Sequence, residues 1–105
     1  MIFQKSEEIF NWYSSICGDK IDINNYESYF KSGVKIADIL NSFNQKNPLK
    51  LKYLNPTLGF HFTDNWGYIC TYIKRIGIQG NFTKENFTNN EILTLLISIH
   101  SKYSL

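Results

Sequence analysis

One spacing recurs three times along this chain and restricts what it can fold into. Ile36, Ile39, Leu40 and Phe43 fall at i, i+3, i+4 and i+7. Trp66, Ile69, Cys70 and Ile73 repeat the interval, and so do Ile92, Leu95, Leu96 and Ile99. Each set lies on one face of an α-helix. Lys35, Asp38, Asn41 and Ser42 occupy the opposite face of the first of these helices. No alternation with the period of a strand is long enough to compete. An all-α fold is therefore expected, with apolar helical seams meeting in one core.

Helix signals bracket these seams. Ser6 is a candidate cap for a first helix, with Glu7 and Glu8 in the first turn, where the helix dipole favours acids. Ile9, Trp12, Tyr13 and Ile16 then form its expected buried stripe, and Gly18 stands where a left-handed C-cap residue belongs. A short helix over Tyr26–Lys31 should turn Tyr29 and Phe30 inward. The helix after Gly33 should run to about Asn44. Residues 45–62, with Pro48, Pro56 and Gly59, read as an irregular loop pinned to the core by Leu49, Leu51, Leu54, Leu58, Phe60 and Phe62. Thr63 or Asp64 should cap the next helix, which Gly77 ends. Thr88 and Glu91 have the spacing of a capping box, and Phe87 with Ile92 that of a hydrophobic staple. The helix from Ile92 to Tyr103 is apolar nearly all round, so it belongs at the centre. Four main helices plus short turns are thus expected.

The 105 residues suit a single domain, 1–105, and 43% hydrophobic with 16% aromatic residues is enough material for a core without staples. Cys17 and Cys70 make no disulfide framework and lie on apolar helical faces. The first residues turn acidic at once, unlike a signal peptide, and no window approaches the roughly 20 apolar residues of a membrane span. The chain therefore reads as soluble and cytoplasmic, with no transmembrane segment. The two Asn-Phe-Thr sequons at Asn81 and Asn86 carry no weight without an export signal.

Groups that could carry chemistry do not converge. His61 and His100 have no Cys, His or carboxylate at metal-ligand spacing. Asp22, Asn24 and Tyr26 echo a calcium loop, but Gly33 stands at the twelfth position, where a bidentate Glu is needed. Gly77-Ile78-Gln79-Gly80 lacks the Lys-Ser/Thr of a phosphate loop. No Ser sits in a nucleophile elbow, and neither cysteine has a cationic setting. The expectation is a protein without catalysis.

Charge is more informative. The net charge of +2 is too small to imply nucleic acid. Residues 1–41 hold four lysines against six acids, whereas residues 42–105 hold seven basic groups against three acids. Lys46, Lys50 and Lys52 form a run with no acid between them, and Lys74 with Arg75 ends a helix, where cations complement its dipole. Joined, these five residues form a candidate patch for an acidic filament or membrane surface. Taken singly, a solvated lysine surface is the commoner explanation of such residues, and the helix-end charge suffices for Lys74 and Arg75.

The order of these signals resembles the calponin homology domain over about Ser6 to Tyr103. Trp12-Tyr13 is similar to the Trp-apolar pair of that family's first helix. Ser32-Gly33-Val34-Lys35-Ile36-Ala37-Asp38-Ile39-Leu40-Asn41 is similar to its helix that opens with Asp-Gly and ends in Leu-Ile-Asn. Asp64-Asn65-Trp66 through Ile76-Gly77 follows its Glu-Asn-Ile helix, and Asn86-Phe87 stands for its Asp-Leu. Ser32 and Asn86 replace the family's Asp, and the connection to the last helix is about one turn short.

The resemblance implies a globule with no cofactor and no catalysis, at work in the cytoskeleton or in signalling. Tandem pairs in the family bind actin filaments; single copies often serve as adaptors or autoinhibitory modules, and other members bind microtubules. An actin-associated module is the first expectation, including one forming the N-terminal part of a Rho guanine nucleotide exchange factor. The alternative is a protein–protein adaptor whose partner is another domain of its own chain.

Overall fold

The computed structural model describes residues 2–84 and 88–103. All regular structure among them is helical: α1 (Ile2–Cys17), α2 (Tyr26–Phe30), α3 (Val34–Phe43), α4 (Gly59–Arg75) and α5 (Asn89–Tyr103). Four long helices and one short one agree with the expected architecture. The Cα radius of gyration is 12.8 Å, close to the roughly 13 Å of a compact body of this length.

The three seams are the core. Ile36, Ile39, Leu40, Ile69, Ile73, Ile92, Leu95, Leu96 and Ile99 are fully buried. Helix α5 packs against α1 and α2, α3 against α1 and α2, and α4 against α3. Trp66 is buried as expected, and its indole N–H donates to the Lys31 carbonyl at 2.8 Å. That bond fixes it at the corner between α2 and α3.

Glycine makes this corner possible. Gly33 has φ of 83°, and a Cβ there would lie 2.9 Å from Ile69 Cδ1 and 3.2 Å from Asn65 Cβ. Only a residue without a side chain both adopts the left-handed backbone and lets α4 approach so closely. At the far end of α4, Gly77 with φ of 87° closes a Schellman motif. The Ile78 amide donates to Ile73 O at 2.9 Å and the Gly77 amide to Lys74 O at 3.1 Å.

Several boundaries differ from expectation. Helix α1 begins before Ser6, which is buried inside it. Nothing in Ile2–Lys5 breaks a helix, so the chain continues helical through the candidate cap. The buried stripe is correspondingly rotated: Ile9, Phe10 and Tyr13 are buried, Trp12 is half-buried and Ile16 is exposed. Helix α4 starts at Gly59, one turn before Thr63, so Phe60, His61 and Phe62 are helical. Its cap is unconventional. His61 Nδ1 accepts the backbone N–H of Leu58 at 3.2 Å and of Thr57 at 3.1 Å, the reach-back role that Glu or Gln takes in a capping box. Thr63 instead donates its hydroxyl to Gly59 O at 3.4 Å, as a threonine inside a helix does.

Helix α5 starts just after Thr88, whose carbonyl accepts the Ile92 amide at 3.0 Å. Glu91 Oε2 is buried and has no hydrogen-bond partner among the described residues, so this oxygen does not close the capping box. Phe87, the other half of the staple, and Asn86 lie outside the described residues.

The segment from Asn44 to Leu58 contains no helix, so its backbone needs other partners. Side chains of the neighbouring helices supply them. Asn41 donates Nδ2 to Leu49 O at 2.9 Å and accepts the Leu49 amide on Oδ1 at 2.7 Å. Asn65, wholly buried, donates Nδ2 to Tyr53 O at 2.9 Å and accepts the Tyr53 amide at 3.2 Å. The same amide nitrogen donates to Ser32 O at 2.9 Å. Tyr72 donates its hydroxyl to Asn47 O at 2.8 Å. Leu49 and Leu51 enter the core as expected, whereas Leu54, Leu58 and Phe60 are exposed.

Candidate functional site: a basic face on helix α4

Helix α4 buries Asn65, Trp66, Ile69, Cys70, Tyr72 and Ile73. Its 3.6-residue period therefore turns Asp64, Gly67, Tyr68, Thr71 and Arg75 to the other side. The pinned loop passes beside this face. One cleft is lined by Pro48, Leu49, Lys50, Tyr68, Thr71, Tyr72 and Arg75. A second is lined by Lys52, Asp64, Gly67, Tyr68, Thr71 and Lys84. Tyr68 and Thr71 border both, so the two clefts are neighbours with Tyr68 between them.

Of the five basic residues singled out from sequence, this face gathers Lys50, Lys52 and Arg75. Lys74 is exposed in the last turn of α4 and lines neither cleft. Lys46 is exposed beside a separate cleft formed by residues 42–47. Two members of the face escaped sequence reasoning. Lys84 is remote in sequence and reaches α4 only through the fold. Tyr68 carried a legible signal, since it is an aromatic residue off the buried seam of its helix, and it is 46% exposed.

The loop lysines are placed by the hydrogen bonds that fix their backbone. Asn41 holds Leu49, next to Lys50, and Asn65 holds Tyr53, next to Lys52. The Lys52 ammonium stands 5.3 Å above the Tyr53 ring. Interaction with the Tyr53 side chain holds the Lys52 pKa above the usual lysine range. Asp64 is the acid among the residues lining the two clefts, so cations outnumber it.

A second polar cluster joins α1, α2 and α3. Tyr29 donates its hydroxyl to the Asp19 carboxylate, so the Tyr13 hydroxyl, 3.1 Å away, is the donor to Tyr29. Lys35 Nζ lies 3.3 Å from Asp19 Oδ2. Burial pushes the Tyr13 and Tyr29 phenols upward, and burial likewise raises the Cys17 thiol. The Tyr29 hydroxyl and then the Lys35 ammonium hold Asp19 below the usual carboxylate range. With phenols and thiol kept protonated, the cluster presents no activated nucleophile at neutral pH. It acts as a latch between three helices.

Both histidines have packing roles. His61 caps α4 and stacks on Tyr53 at 4.1 Å; the His100 and Trp12 rings pack nearly perpendicular with centroids 5.0 Å apart. Asp22, from the calcium-loop echo, accepts the Asn24 amide at 2.9 Å in a local turn. Among the described residues, no cluster of three or more His, Cys, Asp or Glu could hold a metal ion, and no helix is long and apolar enough to cross a membrane. No protein-family model, curated protein or solved structure matches the chain.

Proposed function

We propose that this chain is a non-catalytic binding module, similar to a calponin homology domain, that meets an acidic protein surface through the α4 face. The actin filament is the first choice of partner. The carrying observation is the convergence of Lys50, Lys52, Lys84 and Arg75 around Tyr68, an exposed aromatic residue on a rigid helix. Clustered cations steer an acidic partner, and an aromatic anchor adds contact area at low entropic cost. The all-helical fold and the order of its seams support the family reading on which the choice of actin rests. In that reading the module serves regulation within a larger protein, a Rho exchange factor among them.

Co-sedimentation with actin filaments, with microtubules in parallel, tests the proposal. Assayed as residues 1–105 alone, the module is expected to bind weakly, about micromolar or poorer, because no linked second site raises its effective concentration in that assay. Salt should weaken it, because the Debye length falls from about 10 Å at 0.1 M to about 3 Å at 1 M. Charge reversal at Lys50 and Lys52 should abolish pelleting. Pelleting with microtubules alone moves the partner to that filament. Pelleting with neither at low salt defeats the filament reading in favour of an adaptor with a partner in its own chain.

A further inference from the structure

We propose that the N-terminal end of α4, together with the loop turn packed on it, is a docking surface for an anionic lipid bilayer. Leu54, Leu58 and Phe60 are 69%, 53% and 56% exposed there. Single exposed apolar side chains are ordinary; Leu58 and Phe60 share one framework, and Leu54, next to Tyr53 in the chain, borders the adjoining cleft on α3 with Val34, Ala37 and Lys50. The Tyr53 ring lies 6.0 Å from that of Phe60 and stacks on His61 at 4.1 Å. His61 in turn fixes the Thr57 and Leu58 amides, and Asn65 fixes the Tyr53 backbone. The apolar side chains are thus held outward by a rigid base.

Cations rim this knuckle. Lys52 lies over the Tyr53 ring and Lys31 over the Phe62 ring, at 5.3 and 5.7 Å. Residues 39–63 contain Lys46, Lys50 and Lys52 and no acid. The flanking acids are Asp38, which borders a cleft with Leu54 and Lys50, and Asp64, on the flank of α4 beside Lys52 and Lys84. The start of the 17-residue helix adds the positive end of its dipole.

The combination selects the occupant. An acidic protein surface satisfies the lysines but offers nothing specific to three projecting apolar side chains. A second copy of the chain satisfies the apolar side chains but sets lysine against lysine across a two-fold axis. An anionic bilayer satisfies both. Leu and Phe enter the boundary between headgroups and acyl chains, while lysines reach the phosphate level along their apolar stems. Attachment by so few side chains is peripheral and reversible. Each lysine near the surface contributes about fivefold to the binding constant, corresponding to about 1 kcal/mol.

The test is sedimentation with vesicles of phosphatidylcholine and phosphatidylserine in equal parts, with pure phosphatidylcholine in parallel. The protein should pellet with the mixed vesicles only. Leu54→Glu combined with Leu58→Glu should abolish pelleting while leaving the helical circular dichroism and the melt unchanged. Should that double variant fail to fold, Leu58→Ser against Leu58→Phe asks the same question, with loss expected only for serine. Lys31→Gln should weaken binding about fivefold. Arg75→Glu, on the filament-directed face, should leave vesicle binding intact, which separates this surface from the proposed filament contact. Absence of pelleting with mixed vesicles overturns the proposal, as does equal pelleting with both vesicle types or undiminished pelleting of the folded double variant. A solution dimer that Leu58→Glu dissociates, without vesicle binding, assigns the knuckle to self-association and also overturns it.

Discussion

Asn65 is the residue on which the most depends for its size. It is wholly buried and makes three hydrogen bonds to backbone groups of two separate segments, at Ser32 and at Tyr53. Removing one partner of a buried hydrogen bond leaves the other unsatisfied, at about 1–3 kcal/mol. Asn65→Ala should therefore lower stability by at least that amount, read as a shift of the urea midpoint at unchanged slope. Asn65→Asp should be worse than alanine. It keeps the acceptor for the Tyr53 amide but turns the donor into an oxygen facing two carbonyls, and it buries a charge. An aspartate as stable as the wild type would mean that water, not the asparagine, satisfies these carbonyls. Gly33 complements Asn65, because its missing side chain is what brings the Asn65 backbone within reach of the corner.

Between elements, the connection from α1 to α2 and α3 depends on a titrating group. Asp19 joins the Tyr29 hydroxyl to the Lys35 ammonium, and both lower its pKa in the fold. A carboxylate with a depressed folded-state pKa stabilises above its unfolded value of about 3.9, and this contribution is lost as pH falls through the folded value. Acid titration of the melting temperature should thus fall below about pH 4, and Asp19→Asn should flatten that limb. A wild-type and variant acid limb of equal slope would remove Asp19 from the linkage. The latch was not legible in the sequence, because Asp19, Tyr29 and Lys35 meet only once three helices pack. The helices themselves were legible wherever a seam ran with the 3.6-residue period. Their starts were less so. The first turn of α4 depends on a histidine reaching back to the Leu58 amide, outside the Ser, Thr, Asp and Asn pattern that marks most caps. Of the basic face, the lysine run and the helix-end arginine were legible as charges. Their convergence on Tyr68 was not, since it depends on which loop residues the asparagines fix.

At the scale of the molecule, the core is one cluster to which every helix contributes, so a single large cavity should be felt throughout. Trp66 is the clearest probe. Trp66→Ala removes a buried indole and its bond to Lys31, and should cost about 3–5 kcal/mol against the roughly 5–15 kcal/mol of a typical domain. Loss of the cooperative melt, or a marked fall in its midpoint, is the expected result by circular dichroism. An unchanged melt would displace the α4 register. The pinned loop belongs to the same cooperative unit. Its backbone is held at Asn47, Leu49, Tyr53, Thr57 and Leu58 by side chains rooted in α3 and α4. A protease needs an extended stretch of freed backbone, and the lysines at 46, 50 and 52 advertise this segment to trypsin. Freeing it means withdrawing partners anchored in the two helices, so nicking there keeps time with the opening of the whole domain rather than with the fluctuation of a surface loop.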